Sequence, residues 1–498
     1  MVMRLQDLLG VGRLIQGRPD GSVTSVAYDS RRVQPGTLFV ALPGRRVDGH
    51  DFVSEAVQRG AVAVVVERPV LVPEQVPVLQ VESTRAALGR LAAMVYGHPS
   101  RQLRVVGVTG TNGKTTTTHL VKAVLEGQGH TVGLTGTVHT LIGQAERPAS
   151  LTTPQPSDLQ ELLAHMLQDG CTYAVMEASS EGLDMNRVDD VEFDLGIFTN
   201  LTQDHLDYHK SFEAYREAKA RLFHLLNQPG FKSHKAAVIN LDDAASDFYR
   251  SRCQVPVWTY GLDPRAMVRA TEITTTPDGT RFRLITPHGE ISLALRLAGR
   301  FNVYNALAAA TAGLIEGVDL EQIKLALQSQ EGVAGRLQAV RAGQPFGVFV
   351  DYAHSPDSLE NVLRTAQGFT RGRLIAVFGC GGDRDRTKRP LMGAIAARLA
   401  DYTIITSDNP RSEEPQSIVQ DIEAGLKPAL GPGHFYEIIV DRTEAIRRAV
   451  MLAQPDDVIL IAGKGHETYQ IFKDRTIDFD DRAVARSLIE ARVGKGGT

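Results

Sequence analysis

The segment that most constrains this chain is a glycine-rich turn between an apolar strand and an amphipathic helix. The pattern predicts a strand at Leu103–Val108, a loop at Gly110–Thr115 and a helix with an apolar face within Leu120–Leu125. Glycines let backbone N–H groups approach phosphate oxygens, the helix N-terminus adds partial positive charge, and a lysine and a hydroxyl can serve terminal phosphates and Mg²⁺. The longer general pattern needs a glycine where Val108 stands, so the loop is a compact variant. A turn that binds nothing is the alternative, but the Lys-Thr pair at the helix start then has no structural reason.

Length and composition indicate a soluble multidomain protein. At 498 residues the chain is too long for one core and suggests three domains of roughly 150 residues each. Hydrophobic residues make up 43% and charged residues 22%, which is ordinary for soluble proteins. A net charge of −4 without a long basic run argues against nucleic acid and anionic membranes as partners. Small anionic ligands remain compatible, because a local basic site does not need a basic protein.

Cysteine usage and the N-terminus indicate the compartment. Cys171, Cys253 and Cys380 lie far apart in sequence, without the spacing of a metal site, so we expect reduced thiols. The segment Met1–Gly10 has no long apolar core, and no run approaches 18 apolar residues. We therefore expect a cytoplasmic protein without integral membrane contact.

The first region, residues 1–97, has the pattern of a small α/β unit. Apolar runs predict strands and periodic segments predict helices: strands at Ser25–Tyr28, Thr37–Leu42, Ala61–Val66 and Val78–Val81, and helices at Phe52–Arg59 and Thr84–Tyr96. The polar segments Asp29–Arg31 and Gly44–His50 follow strand ends, where ligands bind in α/β sheets. Turn chemistry and surface charge are the alternative interpretation of both segments. His98-Pro99-Ser100 is a plausible linker.

The second region extends to residue 332 and contains the glycine loop. Buried strands are predicted at Tyr173–Met176, Leu195–Thr199 and Ala236–Asn240, and their alternation with helices indicates a mostly parallel sheet. Gly299–Leu314 is predicted to be helical, and Asp319 is predicted to cap one more helix that ends near Ser329.

The third region, residues 333–498, shows five strands that all end in polar residues. The predicted strands are Gly347–Val350, Leu374–Phe378, Tyr402–Thr406, Glu437–Val440 and Val458–Ile461. The polar segments that follow them are Asp351–His354, Gly379–Arg384, Ser407–Arg411, Asp441-Arg442 and Ala462–Glu467. The carboxyl edge of an open α/β sheet is its ligand crevice. One such ending means little, but five together predict a binding face.

Acidic and basic side chains in the second region add chemistry near the loop. Glu177 ends a buried strand and could ligate a metal beside a phosphate loop. Asp204 and His205 follow the next strand at the same edge. The position of the histidine beside a nucleotide loop favours a functional role over a structural one. Lys219 lies in a predicted helix, Ser211–Leu226, and periodicity alone makes it a solvated face residue.

Taken together, these segments resemble the Mur ligases, the ATP-dependent amide-forming enzymes that assemble the peptidoglycan peptide. The motifs that carry the resemblance are Asp29–Arg31, Val47–His50, Gly110–Thr115, Glu177–Arg187, Asn200–Tyr208, Ala218-Lys219, Gly299–Asn305, Asp351–His354, Gly379–Pro390, Asp408–Arg411 and Gly463–Glu467. They are most similar to the members that add the third residue to UDP-N-acetylmuramoyl-L-alanyl-D-glutamate.

The resemblance implies a fold and a reaction. The implied fold is α/β in three domains: a UDP-muramoyl-binding domain at 1–97, a central P-loop ATPase domain at 98–332, and a Rossmann-like amino-acid-binding domain at 333–498. The implied reaction consumes ATP with Mg²⁺, forms an acyl phosphate and adds meso-2,6-diaminopimelate to the D-glutamate. We expect a monomer acting in peptidoglycan synthesis, and so in cell wall biogenesis, cell shape and cell division.

The resemblance also implies a role for individual residues. The UDP-muramoyl-dipeptide would be held by Ser30, Arg45, Arg46, Val47, Thr152, Thr153, Ser179 and Arg187. ATP would be held by Gly110, Thr111, Asn112, Gly113, Lys114, Thr115, Thr116, Asn302, Arg336 and Asp351. Mg²⁺ would be held by Thr115, Glu177, His205 and a carbamylated Lys219, and the catalytic set would be Lys114, Lys219, Glu177 and His205. Diaminopimelate would be held by Arg384, Asp408, Asn409, Pro410, Arg411, Gly463 and Glu467.

Three positions depart from the expected family pattern, and several activities stay open. Leu151, Glu181 and Met185 replace residues of other types, which affects the expected contacts with the muropeptide. The alternatives are an L-lysine-adding ligase, the D-Ala-D-Ala-adding Mur ligase, folylpolyglutamate synthase, or a nucleotide-binding partner protein that lost ligation. Arg411 favours diaminopimelate over lysine, because an arginine suits bidentate recognition of the additional carboxylate.

Overall fold

The computed structural model describes residues 3–44, 47–143, 145–148 and 151–495. Two predicted site residues, Arg45 and Arg46, lie outside these ranges. The chain forms two compact units, one with the residues up to Met267 together with Ala308–Asp319, the other with Val268–Leu307 and the residues from Leu320 onward. Within the described ranges, no helix has both the length and the apolar character that crossing a membrane requires.

The first unit begins with a small α/β sheet. Its elements are β1 (Met3–Arg4), β2 (Arg13–Gln16), β3 (Ser22–Val23), β4 (Ser25–Ala27), β5 (Thr37–Val40), α1 (Val53–Gln58), β6 (Ala63–Val66), β7 (Val78–Gln80) and α2 (Thr84–Val95). The sheet order is β2-β7-β6-β5-β4, with β4 to β7 parallel and β2 antiparallel. The Ser83 hydroxyl caps α2 by accepting from the Ala86 N–H. The predicted strands and helices of this region are confirmed within two residues at each end.

The same unit continues into a larger, mostly parallel sheet. Its elements are β8 (Arg104–Thr109), α3 (Lys114–Gly127), β9 (Val132–Thr135), β10 (His139–Ile142), β11 (Ala145–Pro148), α4 (Pro156–Gln168), β12 (Tyr173–Glu177), α5 (Ser180–Asp184), β13 (Leu195–Phe198), α6 (Leu206–His209), α7 (Phe212–Asn227), β14 (Ala236–Asn240), α8 (Ser246–Arg250) and β15 (Val257–Gly261). The order is β11-β10-β9-β12-β8-β13-β14-β15. The predicted parallel strands are confirmed, and the hairpin β10–β11 was not predicted. Glu177 pairs with Val108 and Phe198 with Thr109, so these strands end at one edge.

The second unit opens with an antiparallel meander that the sequence analysis missed. Its elements are β16 (Val268–Thr276), β17 (Gly279–Thr286) and β18 (Gly289–Leu295), followed by α9 (Arg300–Ile315), which ends in the first unit, and α10 (Leu320–Ser329). The sequence signal was present, because the turn dipeptides Pro277-Asp278 and Pro287-His288 join the strands and each is followed by a glycine. In the structure, buried residues alternate with more exposed ones along β17. The predicted helix after Asp319 is confirmed.

The rest of the second unit is a Rossmann-like sheet. Its elements are β19 (Gln338–Ala339), β20 (Gly347–Asp351), α11 (Pro356–Gln367), β21 (Leu374–Phe378), α12 (Lys388–Leu399), β22 (Tyr402–Ile405), α13 (Pro415–Ala429), β23 (Phe435–Ile438), α14 (Arg442–Leu452), β24 (Val458–Ala462), β25 (Tyr469–Ile471), β26 (Thr476–Asp478) and α15 (Asp481–Lys495). The order is β19-β20-β24-β21-β22-β23, parallel from β20 to β23. Alternate residues of β21 enter two different cores, so both faces are covered. All five predicted strands exist, although β23 lies two residues earlier than predicted.

Close packing behind the glycine loop yields a stability prediction. A Cβ on Gly107 in β8 would lie 2.7 Å from the ring of Phe193, which is fully buried, whereas one on its cross-strand partner Gly196 would meet Leu226 at 3.3 Å. Overpacking a buried site costs about 1–3 kcal/mol. We expect Gly107→Ala to lower the free energy of unfolding by that amount, measured in urea from the fluorescence of Trp258, the chain's single tryptophan. Gly196→Ala is the matched control and should change it far less; equal effects of the two substitutions contradict the packing account.

Candidate functional site

The glycine loop forms a tight turn that only glycine can make at two positions. Gly110 has a φ of 149° and Gly113 a φ of 83°, and α3 begins at Lys114. A Cβ on Gly110 would lie 1.9 Å from the Thr199 hydroxyl. The loop therefore presents its backbone at the start of a helix, which is the arrangement that phosphate groups bind. Thr115 and Thr116, the next predicted contacts, are buried in the first turn of α3.

The residues after β13 hold the loop in this shape. Asn112 donates its N–H to the Asn200 side chain at 2.8 Å, and the Asn200 amide donates back to the Asn112 carbonyl at 3.0 Å. The Thr199 hydroxyl also donates to the Asn112 carbonyl, at 2.7 Å, and the Thr111 N–H donates to the Asn200 carbonyl at 2.8 Å. Neither Thr199 nor Asn200 was predicted as a site residue, although both follow a strand at the ligand edge.

Two lysines converge on one carbonyl of the loop. The Nζ atoms of Lys114 and Lys219 each lie 2.8 Å from the Gly110 carbonyl oxygen. Lys219 is 1% exposed, and burial, followed by the charge of Lys114, holds its pKa well below the usual value for a lysine. The interpretation of Lys219 as a solvated face residue, drawn from periodicity alone, is therefore wrong. Two cations sharing one acceptor favour an anionic ligand or the loss of a proton.

Tyr215 connects the buried lysine to the loop and was missed by the sequence analysis. The Lys219 ammonium lies 4.4 Å from the Tyr215 ring centroid, and the Tyr215 hydroxyl lies 3.0 Å from the Thr111 hydroxyl. His205 packs on the same ring with centroids 6.0 Å apart, is half exposed, and has a left-handed backbone with φ 52°. Tyr215 precedes Lys219 by one helical turn, and this spacing was its only sequence signal.

Glu177 is a fully buried carboxylate one strand away from the loop. Thr137 donates to it twice, from its N–H at 2.8 Å and from its hydroxyl at 3.1 Å. A Cβ on Gly136 would lie 2.3 Å from the same carboxylate, so the chain closes tightly around it. In the part of the chain that the structure describes, no three His, Cys, Asp or Glu side chains are grouped to hold a metal ion. The predicted metal set therefore also depends on Thr115 and on a modified Lys219.

Four predicted muropeptide residues gather beside Glu177. The Thr152 hydroxyl lies 3.1 Å from that of Thr137, and the Thr153 hydroxyl donates to the Glu177 carbonyl at 2.8 Å. The Ser179 hydroxyl lies 3.0 Å from that of Thr153, and Arg187 donates to the Thr153 carbonyl at 3.0 Å. Burial lowers the pKa of Arg187. The structure thus brings these four residues together.

The three unusual positions and the remaining muropeptide residues have different surroundings. Met185 accepts a weak hydrogen bond from Arg187 at 3.1 Å, Glu181 lies 4.0 Å from the His205 ring, and Leu151 is exposed. Ser30 is buried and donates to Glu55 at 3.0 Å, whereas Val47 is exposed. Ser30 lies between β4 and β5, and Val47 lies between β5 and α1.

In the second unit, the segments after β22 and β24 form one polar cluster. The Asn409 amide donates to the Glu467 carboxylate at 2.8 Å, and Lys464 donates to both of them, at 3.1 and 3.0 Å. Gly463 has a φ of 118°, and a Cβ there would lie 2.5 Å from the Asp408 carboxylate. Lys464 is fully buried and was not predicted as a site residue, although it lies within a predicted motif.

Arg411 lies at the edge of this cluster with a left-handed backbone, φ 52°. Its guanidinium donates to the Gly382 carbonyl at 2.8 Å, and its N–H donates to the Ile471 carbonyl at 3.0 Å. The Pro410 carbonyl lies so close to Gly382 that a Cβ there would be 1.8 Å away. Arg384 is exposed on the loop after β21. The structure therefore gathers Asp408–Arg411 with Gly463 and Glu467.

The last three predicted nucleotide residues also lie in this unit. Asp351 accepts from the Leu337 and Ala353 N–H groups at 2.7 and 2.8 Å, and burial raises its pKa despite nearby Arg336. One carboxylate oxygen of Asp351 thus holds the backbone next to Arg336, and the other holds the turn at Ala353. The Asn302 amide donates to the Ala298 carbonyl at 2.8 Å at the start of α9.

A glycine loop that follows a parallel strand and opens a helix with a Lys-Thr pair is typical of P-loop nucleotide-binding enzymes. Comparison with family models matches residues 22–96 to the Mur ligase family catalytic domain, 108–313 to the Mur ligase middle domain and 335–465 to the Mur ligase glutamate ligase domain. The chain belongs to the Mur ligase family.

Relatives and solved structures agree with this assignment. The chain is 50% identical over 477 residues to the UDP-N-acetylmuramoyl-L-alanyl-D-glutamate--2,6-diaminopimelate ligase of Geobacillus thermodenitrificans, covering 96% of both chains. It is 47% identical to the ligase of the same name from Halalkalibacterium halodurans over 99% of both chains. A solved structure of a ligase of that name has a TM-score of 0.72 at 34% identity and covers 99% of this chain and 100% of its own. The MurF ligase from Thermotoga maritima, solved in complex with ADP, shares the fold with a TM-score of 0.65 at 19% identity, over 95% of this chain and 99% of its own. The three-domain α/β fold with a mostly parallel central sheet is confirmed.

Proposed function

We propose that this protein is an ATP-dependent ligase that adds meso-2,6-diaminopimelate to the D-glutamate of UDP-N-acetylmuramoyl-L-alanyl-D-glutamate. The observation that carries the proposal is the near-full-length identity of 45–50% to curated ligases of that specificity, together with a phosphate loop on which two lysines converge. The product is a precursor of peptidoglycan. We place the reaction in the cytoplasm, with a monomeric enzyme, small-molecule substrates and no nucleic acid partner.

The loop and its lysines suit the first chemical step. The N–H groups of residues 110–116 and the Lys114 ammonium would bind the ATP phosphates. The D-glutamate carboxylate attacks the γ-phosphorus, the bond to ADP breaks, and an acyl phosphate forms. The Lys114 ammonium would neutralise the charge that develops on the transferring group. Asn302, Arg336 and Asp351 would contact the rest of the nucleotide.

The second step joins the amino acid to the activated carbonyl. The neutral amine of diaminopimelate attacks the acyl phosphate, a tetrahedral intermediate forms, and inorganic phosphate leaves as the amide appears. Holding the two reactants in line contributes most of the acceleration, because little covalent help from the protein is needed. Thr152, Thr153, Ser179 and Arg187 would hold the muramoyl-dipeptide, and Ser30, Arg45, Arg46 and Val47 its uridine end.

The donor set beside the loop suits Mg²⁺. Thr115 offers a hydroxyl, Glu177 a buried carboxylate and His205 a ring nitrogen, and the oxygens among them are the ligands that Mg²⁺ prefers. Bound Mg²⁺ would neutralise phosphate charge during phosphoryl transfer. Thr137 orients the Glu177 carboxylate through its two hydrogen bonds, so this ligand is fixed before any ion arrives.

Lys219 completes this set if it carries a carbamate. An ammonium cannot ligate a cation, whereas a carbamate supplies two oxygens and a negative charge. CO₂ adds only to the neutral amine, releasing one proton, and the burial of Lys219 beside Lys114 favours that neutral form. The modification would replace a repulsive pair of cations by an attractive ion pair.

The cluster after β22 and β24 suits a zwitterionic amino acid. Glu467 and Asp408 can accept from an ammonium, while Arg384 and Arg411 can donate to carboxylates. Asn409, Pro410 and Gly463 would line the site around these charges. The guanidinium of Arg411 uses one N–H for the Gly382 carbonyl, and a guanidinium has five N–H donors. Lysine lacks the distal carboxylate and would bring an ammonium toward this arginine, so the site both attracts diaminopimelate and repels lysine.

The carbamate is tested by chemical rescue. We expect Lys219→Ala to lose activity by about a hundredfold or more, because the transition state loses a metal-binding charge. A short carboxylate added to the buffer should restore part of the rate of phosphate release. Lys114→Ala is the matched control: it should lose comparable activity and gain nothing from the carboxylate. Full activity of folded Lys219→Ala without any additive contradicts the assignment.

Arg411 is tested by substrate preference. A hydrogen bond to a charged group contributes about 1.5–3 kcal/mol, so Arg411→Ala should raise the KM for diaminopimelate roughly ten- to a hundredfold and narrow its advantage over lysine. The exposed Arg386, which pairs with Glu413 nearby, is the matched control, and Arg386→Ala should leave the preference unchanged. If the Arg411→Ala enzyme prefers diaminopimelate over lysine as strongly as wild type does, Arg411 does not bind the distal carboxylate.

A further inference from the structure

A fully buried ion pair lies next to the polar cluster that the segments after β22 and β24 form in the second unit. Arg442 is the first residue of α14 and Asp481 the first residue of α15, and both side chains are 0% exposed. The guanidinium donates to the carboxylate twice, from Nε and from one terminal nitrogen, at 2.8 Å each. Such a bidentate pair fixes the plane and direction of the guanidinium.

The remaining donors of Arg442 reach two strand ends. One terminal nitrogen donates to the Ser407 carbonyl at 3.2 Å, and the other donates to the Ala462 carbonyl at 3.0 Å. Ser407 directly precedes Asp408, and Ala462 directly precedes Gly463. The strands that end there, β22 and β24, are not neighbours, because β21 lies between them. Arg442 therefore bridges two segments that the ladder of the sheet does not join directly.

We propose that Arg442, oriented by Asp481, is a positioning residue that sets the spacing between the segments Asp408–Arg411 and Gly463–Glu467. The proposal rests on the proposed function, since these segments are the ones that would hold the amino acid. The spacing is critical, because the Asp408 carboxylate lies so close to Gly463 that a Cβ there would be 2.5 Å from it. Lys464 joins the same segments further out, through Asn409 and Glu467.

A role in stability alone does not explain this arrangement. Replacing a buried ion pair by apolar residues of similar size is often neutral or stabilising, so the pair is weak evidence for stability. Its geometry needs an arginine: one planar group serves a carboxylate and two carbonyls, which an ammonium with three donors on a flexible stem cannot reproduce. Positioning the two segments is the function that requires all four hydrogen bonds.

The test is a double variant, Arg442→Met with Asp481→Leu, which removes both charges and leaves neither buried alone. We expect the KM for diaminopimelate to rise roughly ten- to a hundredfold, the scale of a small misplacement of a binding group. The KM values for ATP and for the UDP-linked substrate should stay within about twofold. Arg442→Lys should raise the KM for diaminopimelate less than the double variant does but still above wild type, because lysine keeps the charge and lacks the planar array of guanidinium donors.

The matched control is the pair of Arg373 and Asp457, which lies before β21 and β24, at the opposite ends of the strands. Arg373→Met with Asp457→Asn should leave the KM for diaminopimelate unchanged, even where it lowers the melting temperature. A double variant at Arg442 and Asp481 that is folded and keeps the wild-type KM overturns the proposal, and so does an equal KM increase in the control.

Amide hydrogen exchange separates this proposal from the proposed function. The N–H of Arg411 donates to the Ile471 carbonyl and that of Glu467 to the Lys464 carbonyl. Both should exchange faster in the double variant than in wild type and in the control, whichever amino acid the enzyme uses. Unchanged exchange at both amides overturns the positioning role. Failure of the wild-type enzyme to use diaminopimelate would instead refute the proposed function and leave the exchange result standing.

Discussion

The interaction on which the nucleotide end of this molecule depends is the sharing of the Gly110 carbonyl by two lysines. One ammonium on that oxygen is ordinary for a phosphate loop, but the second comes from the buried interior of α7. Burial and the charge of Lys114 lower the pKa of Lys219, so positive charge on this side chain is unfavourable. The proposed ligand and the proposed modification both offset this positive charge. ATP phosphates bring negative charge, and a carbamate on Lys219 would be attracted to the Lys114 ammonium.

The same principle of arranging charge by backbone contacts recurs in the second unit. Buried polar side chains there bind carbonyls and N–H groups at strand ends rather than one another alone. Asp351 holds two N–H groups, and Arg442 holds two carbonyls. Hydrogen bonds of this kind fix the position of a loop relative to the strand that precedes it. The strands bring these loops to one edge of the sheet, and the buried side chains fix the positions of the loops there.

Much of this could be predicted from the sequence, and the exceptions have physical causes. The polar segments that follow the strands at the carboxyl edge could be predicted, because local periodicity and turn residues encode them. The sequence did not identify Tyr215, Lys464 and Arg442 as site residues. Their partners lie far away in sequence, or their local patterns are those of ordinary helix or loop residues. Thr199 and Asn200 act through contacts almost ninety residues away, at Asn112. Residue types at strand ends are local information, whereas the contacts that orient them are tertiary.

Isotope labelling combined with substrate competition tests both the acyl-phosphate route and the choice of amino acid. The wild-type enzyme is given ATP, equal amounts of meso-diaminopimelate and L-lysine, and UDP-N-acetylmuramoyl-L-alanyl-D-glutamate carrying ¹⁸O in the reacting carboxylate. Mass spectrometry then follows the nucleotide product and the released phosphate. We expect a product that contains diaminopimelate, and released phosphate that carries one ¹⁸O atom from the carboxylate. Incorporation of lysine to a similar extent, or phosphate without ¹⁸O, would contradict the proposed reaction.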